Sequence, residues 1–144
     1  MWKLSPDIDL SSENIPAADA ERQRRTAAEI LERLAHRPGQ VLADEVGMGK
    51  TFVALAIAAS VVRATRYEQP VVVMVPSSVV DKWPRDWNSF AQGLSDASDI
   101  KVSGAIRHGT DFLKLLDDPP ERRSHIIFLT HGALTRTIND PFVK

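Results

Sequence analysis

The residues with the clearest chemical potential lie side by side near the middle of the first half of the chain. They are Asp44, Glu45, Val46, Gly47, Met48, Gly49, Lys50 and Thr51. Glycines let a backbone curl so that successive N–H groups point inward, and the start of a helix adds the positive end of its dipole. In such a loop Lys50 reaches the β and γ phosphates and the Thr51 hydroxyl coordinates Mg²⁺. The pattern predicts a triphosphate site with magnesium.

The segment departs from the generic phosphate loop at one position. That pattern, G-x-x-x-x-G-K-[ST], has its first glycine where this sequence has Asp44. The remaining Gly-x-Gly-Lys-Thr still favours phosphate binding, because a predicted strand precedes it and a predicted helix follows. Two alternatives stay open: a surface turn closed by a helix cap, and a dinucleotide loop, which would have a third glycine and no need of Lys50.

The flanking sequence predicts the elements that hold this loop. The short apolar run 40–43 predicts a strand, and residues 51–63 predict a helix that is apolar nearly all round and therefore buried. Residues 71–75 are β-branched without polar alternation, which is typical of a strand covered on both faces of a parallel sheet. Further predicted elements are helices over 19–35, 77–91 and 111–116 and strands over 100–102 and 126–129. The alternation predicts an α/β fold, a mostly parallel sheet with flanking helices.

Length and composition fit one globular domain. The chain has 144 residues, 43% of them hydrophobic, with 18 basic and 19 acidic side chains and a net charge of −1. There is no cysteine for a disulfide and no global basic field, so contact with nucleic acid requires a local patch. Residues 1–18 lack a period and predict a loosely held arm, and residues 19–144 form the predicted domain. Apolar side chains can still dock this arm: Trp2, Leu4, Ile8 and Leu10.

Neither a membrane nor a metal other than Mg²⁺ is indicated as a partner. The longest apolar run, residues 52–62, is too short for a membrane span of about 20 residues. No apolar stretch follows the charged amino terminus, so we expect no secretory signal, no membrane partner and a cytoplasmic location or, for a chain that binds DNA, the nucleoid of a bacterium or the nucleus of a eukaryote. Four histidines lack metal-ligand spacing, which leaves Mg²⁺ at Thr51 as the expected metal. They are His36, His108, His125 and His131.

Residues 42–51 closely resemble motif I of superfamily-two helicases, and specifically the Swi/Snf-like branch of DNA-dependent ATPases, in which an acidic residue commonly replaces the first glycine. The resemblance implies a partial RecA-like lobe that binds ATP and Mg²⁺, with Lys50 as its catalytic residue. Arg22 and Gln23 resemble the glutamine motif, which implies that Gln23 reads the adenine edge. An amide suits that task because it donates and accepts in one plane. The alternative is a solvated helix residue among charges.

Two downstream segments extend the resemblance. Residues 73–86 resemble motif Ia, which implies that Ser77 and Ser78, with the N–H groups of a helix start, hold a nucleic-acid phosphate. Within this motif we expect Trp83 to pack in the core rather than to stack on a base. Residues 128–134 resemble motif Ib, which implies that Thr130 touches the tracking strand of double-stranded DNA.

Hydrolysis in this family needs an acidic pair at the end of a later strand. Here only the run 41–43 leads into such a pair, and that pair belongs to the phosphate loop itself. The resemblance therefore covers part of one motor lobe, without the hydrolysis motif or the second lobe. We expect little turnover, and an incomplete sheet that self-associates or binds the missing lobe. The alternative is a truncated or regulatory nucleotide-binding module without turnover. A metabolic kinase or GTPase would leave residues 76–78 and Trp83 unexplained.

Overall fold

The computed structural model describes residues 2–11, 15–43, 49–96 and 99–135. Helices and strands alternate along these ranges. They are α1 (Ala17–Leu34), α2 (Lys50–Ala64), β1 (Val71–Val75), α3 (Lys82–Ala91), β2 (Val102–Ile106), α4 (Gly109–Asp117), β3 (Ile126–Thr130) and α5 (His131–Thr135). The strands pair in parallel in the order β1-β3-β2. This confirms the predicted α/β class, a parallel sheet with flanking helices, as in a partial RecA-like domain.

Strand β3 lies at the centre of the sheet. All five of its residues are buried, as expected for a strand covered on both faces. The ladder to β2 is irregular between Val102 and Ala105, and there the Phe128 N–H donates to the Ser103 hydroxyl at 2.9 Å. A serine side chain thus takes over a ladder bond at the bulge.

Strand β1 differs from its prediction. Its burial alternates, and Val72 and Met74 are 39% and 45% exposed. The expectation that both faces of residues 71–75 are covered is therefore wrong. Helix α2 contacts β1. Because side chains alternate between the two faces of a strand, Val72 and Met74 share the more exposed face.

The predicted strand at residues 40–43 is also wrong, because these residues form no ladder. Val41 is 82% exposed. A strand depends on the hydrogen bonds of a neighbour, and the part of the chain that the structure describes places no strand beside this run.

Helix α3 begins five residues later than predicted, since residues 77–81 form turns. The Val79 N–H donates to the Pro76 carbonyl and the Lys82 N–H to the Val79 carbonyl, both at 3.1 Å. Pro84 explains the late start, because proline is tolerated in the first turn of a helix but breaks its interior. Helices α1, α2 and α4 lie close to their predicted ranges, whereas α5 has no predicted counterpart.

The amino-terminal arm docks on the domain. Ile8 and Leu10 are 1% and 5% exposed, as the docking alternative predicted. The Ser5 N–H donates to the Ser60 hydroxyl at 3.0 Å, and Arg24 Nη1 donates to the Ile8 carbonyl at 2.8 Å. The described part of residues 1–18 is therefore packed rather than loosely held.

An ion pair between Asp7 and Arg63 fixes this arm to α2. Arg63 holds the pKa of the Asp7 carboxyl well below its ordinary value, mainly by a side-chain hydrogen bond. A carboxyl whose pKa is depressed on folding stabilises the fold above its unfolded pKa of about 3.9, and that stability disappears as pH falls through the lower folded value.

We therefore expect the wild-type chain to lose stability below about pH 4, where a carboxyl with an unperturbed pKa of about 3.9 protonates in the unfolded chain. Asp7→Asn should be less stable at neutral pH and should lose less on acidification. Urea denaturation at several pH values measures both effects. Asp19→Asn is the control, because its exposed pair with Arg22, at 3.5 Å, holds no arm in place. Parallel pH profiles for wild type and Asp7→Asn would contradict this prediction.

Candidate functional site

The amino end of helix α2 has several features of an anion-binding site. Gly49 is the N-cap residue in the left-handed conformation, with φ 77° and ψ 26°, and it has no side chain to cap the helix. The Val53 N–H donates to the Gly49 carbonyl at 3.2 Å, so the earlier amides of the first turn lack an intrahelical acceptor. The first turn contains no acidic residue and begins with Lys50. Amides without an acceptor in their own helix, a positive dipole end and a cation therefore point to a negatively charged ligand.

Gln23 of α1 packs directly against Gly49. A Cβ atom built at position 49 would lie 2.6 Å from Gln23 Cδ and closer still to Nε2, so a side chain at this position would require the Gln23 amide to move. Gln23 is 6% exposed, which contradicts the alternative of a solvated helix residue. Its Oε1 is buried and has no hydrogen-bond partner within the described ranges. The structure thus brings together two predicted site residues from separate helices.

The remaining loop residues are placed as follows. Lys50 and Thr51 are half-buried in the first turn of α2. The other predicted loop residues lie outside the described ranges: Asp44, Glu45, Val46, Gly47 and Met48. The roles of all these residues stay predictions.

A second site lies at the carboxyl ends of the strands. A pocket of about 370 Å³ opens there, at the edge where ligands bind in open parallel sheets. Its lining comes from all three strand ends: Pro76, Ser77, Arg107, His108, Thr130, His131 and Gly132. Two predicted nucleic-acid residues, Ser77 and Thr130, therefore meet in one pocket, whereas Ser78 is exposed and does not line it.

The predicted contribution of a helix start to this site is wrong. Because α3 begins at Lys82, its first amides do not follow Ser77 and Ser78. Trp83 is half-buried and its ring lies 6.2 Å from that of Phe128, which confirms its predicted packing in the core.

Sequence reasoning missed Arg107, and considered His108 and His131 only as metal ligands. The cause is the strand prediction at 100–102, which reaches only the first residue of the observed β2 and so does not place Arg107 and His108 at a strand end. Arg107 forms two hydrogen bonds to the Asp81 carboxylate, Nη1 to Oδ1 at 3.2 Å and Nη2 to Oδ2 at 2.5 Å. This contact holds the pKa of Asp81 below its ordinary value.

The family of the chain follows from comparison with known domains. The SNF2-related domain matches residues 22–126, which is more than half of the chain. The protein therefore belongs to the SNF2-related domain family, which confirms the predicted Swi/Snf-like resemblance. The match includes both α2 and the residues that line the pocket up to Arg107 and His108.

Curated relatives agree with this family. The chain is 37% identical over 60 residues to the SWI/SNF-related matrix-associated actin-dependent regulator of chromatin subfamily A containing DEAD/H box 1 of Xenopus tropicalis. It is 39% identical over 57 residues to the chromodomain-helicase-DNA-binding protein 1-like of Mus musculus. These segments cover 42% and 40% of this chain but only 6% of each relative. Among the described helices, none has the length and apolar character needed to cross a bilayer.

Proposed function

We propose that this chain is the ATP-binding portion of an SNF2-family DNA translocase, with Mg²⁺ and the phosphates of ATP at the start of α2. The observation that carries the proposal is the contact between Gly49 and Gln23. It joins a helix start open to an anion with a buried amide whose Oε1 has no hydrogen-bond partner among the described residues.

The first turn of α2 fits a polyphosphate. A lysine at the amino end of a helix opposes the helix dipole unless an anion lies between them. With ATP bound, the Lys50 ammonium would contact the β and γ phosphates and the Thr51 hydroxyl would hold Mg²⁺. Bound Mg²⁺ would supply positive charge that neutralises the phosphates.

The buried amide of Gln23 fits a nucleobase. A buried acceptor without a hydrogen bond costs about 1–3 kcal/mol, and Gln23 Oε1 is such an atom in the described part of the protein. The adenine amino group is a donor that would remove this cost, while Nε2 can donate to an adenine ring nitrogen. This pairing would select ATP over a triphosphate whose base has a carbonyl at that edge.

The strand-end pocket supports a contact with double-stranded DNA in the full-length protein. Ser77 and Thr130 offer hydroxyl donors and Arg107 offers a cation, the groups that commonly bind phosphates. The printed name of the mouse relative includes helicase and DNA-binding.

We propose that residues 1–144 bind ATP rather than turn it over. The described strands β1, β2 and β3 are followed by Pro76-Ser77, Arg107-His108 and His131-Gly132, and none of these residues is acidic. Water activation in this class requires carboxylates at a strand end. DNA-stimulated phosphate release by this chain would contradict binding without turnover.

Lys50→Ala tests the nucleotide site. We expect affinity for a fluorescent Mg·ATP analogue to fall about 10- to 100-fold, the loss expected for one charged hydrogen bond of about 1.5–3 kcal/mol. Lys82→Ala is the matched control, because Lys82 is exposed on α3 and pairs with Asp86 at 3.1 Å. Equal affinity of wild type and Lys50→Ala, or no binding by wild type, would refute the proposed site.

A further inference from the structure

The geometry points to Arg107 as a residue that binds a backbone phosphate of duplex DNA after leaving Asp81, so that Asp81 limits the DNA affinity of the strand-end pocket. This inference rests on the DNA contact proposed above. It adds one phosphate-binding residue to that site, together with a carboxylate that competes for it.

Arg107 is placed to reach both the pocket and its carboxylate. It is the first residue after β2 and lines the pocket with Ser77 and Thr130. Its side chain is 43% exposed, so the guanidinium remains accessible to a ligand as large as DNA. Asp81 precedes α3, at the end of the turns that follow β1, and its side chain is 66% exposed. The ion pair therefore joins the segment that follows β2 to the segment that follows β1.

The contact with Asp81 uses the groups that a phosphate would use. Both carboxylate oxygens accept from the two terminal nitrogens of Arg107, at 3.2 and 2.5 Å. The same pair of terminal nitrogens binds phosphate oxygens, and it cannot make its paired contact with a carboxylate and with a phosphate at the same time. A phosphate near Asp81 is also repelled by the carboxylate. DNA must therefore displace Asp81 to gain the full contact with Arg107.

The exchange is feasible because both partners are exposed. Ion pairs in water are weak, and a DNA phosphate adds the release of condensed counterions when a cation neutralises it. Arg85 Nε donates to the Asp81 carbonyl at 3.3 Å. A second cation therefore stays close to the carboxylate when Arg107 turns to DNA.

Salt-dependent binding of the 144-residue chain to a fluorescently labelled DNA duplex tests the inference. In fluorescence anisotropy, Arg107→Gln should weaken binding and reduce the slope of log K against log salt by about 0.9, the value for one lost phosphate contact. Asp81→Asn should tighten binding about threefold or more, since it removes both the competitor and its repulsion. Arg122→Gln is the matched control, because Arg122 is an exposed arginine that precedes the amino end of β3, away from the pocket.

The double variant identifies the route of the Asp81 effect. If Asp81 acts through Arg107, Asp81→Asn should give no gain in the Arg107→Gln background. A gain of the same size there would show general repulsion and overturn the exchange. An unchanged salt slope for Arg107→Gln, with wild type bound, overturns the role of Arg107 and leaves the proposed function intact. Absence of salt-dependent DNA binding by wild type contradicts both the role of Arg107 and the proposed DNA contact of the pocket.

Discussion

Gly49→Val is expected to destabilise the chain by about 3 kcal/mol and to abolish Mg·ATP binding, because two costs add at this residue. The first is the left-handed backbone, with φ 77°, which a β-branched side chain adopts only with strain of about 1–3 kcal/mol. The second is the overlap of the new Cβ with Gln23 Cδ at 2.6 Å. Relief of that overlap would turn the far end of the Gln23 side chain away from residue 49 and so remove its amide from the nucleotide site.

Urea denaturation measures the stability and a fluorescent Mg·ATP analogue measures the binding. Gly39→Val is the control, since a Cβ there meets nothing within 4 Å. Gly49→Ala and Gln23→Ala, alone and together, separate the two costs: Gln23→Ala should relieve the overlap in the double variant and leave the backbone strain. If Gly49→Val is as stable as Gly39→Val, the described contact between the helices is wrong.

Phe128→Ala is expected to cost about 3–5 kcal/mol of unfolding free energy, a large part of the roughly 5–15 kcal/mol that a domain has. Phe128 is fully buried in the central strand, pairs in register with Val73 and Ala105, and packs against Trp83. Its removal leaves a cavity between the sheet and α3 that the neighbouring strands cannot fill.

Leu113→Ala is the comparison for this prediction, because Leu113 is an apolar side chain on α4 that is 54% exposed. Its cost should stay within about 0.5 kcal/mol, as for most surface changes. Both variants are measured by urea denaturation monitored by tryptophan fluorescence. Similar costs for Phe128→Ala and Leu113→Ala would show that the sheet is not packed as described.

The elements with a strong local pattern were predictable. The apolar run after Lys50 specified α2 within one residue at each end, because a helix that is apolar all round has few alternatives in water. The strand at residues 126–129 was predictable because a short, continuous apolar run is typical of a strand that is buried on both faces. The run 40–43 contains three apolar residues, yet it forms no strand, since a strand is completed by hydrogen bonds to a neighbour and not by its own sequence.

The candidate sites also have parts that follow from the local sequence and parts that follow from the tertiary structure. The sequence by itself determined that Gly49, Lys50 and Thr51 stand at the start of a buried helix, because glycine conformation and helix periodicity are local properties. Only the tertiary structure decided that Gln23 touches Gly49, and that Arg107 joins Ser77 and Thr130 in one pocket. Those contacts depend on how α1 packs on α2 and on the strand order β1-β3-β2, and both are set by side-chain packing between segments far apart in the chain.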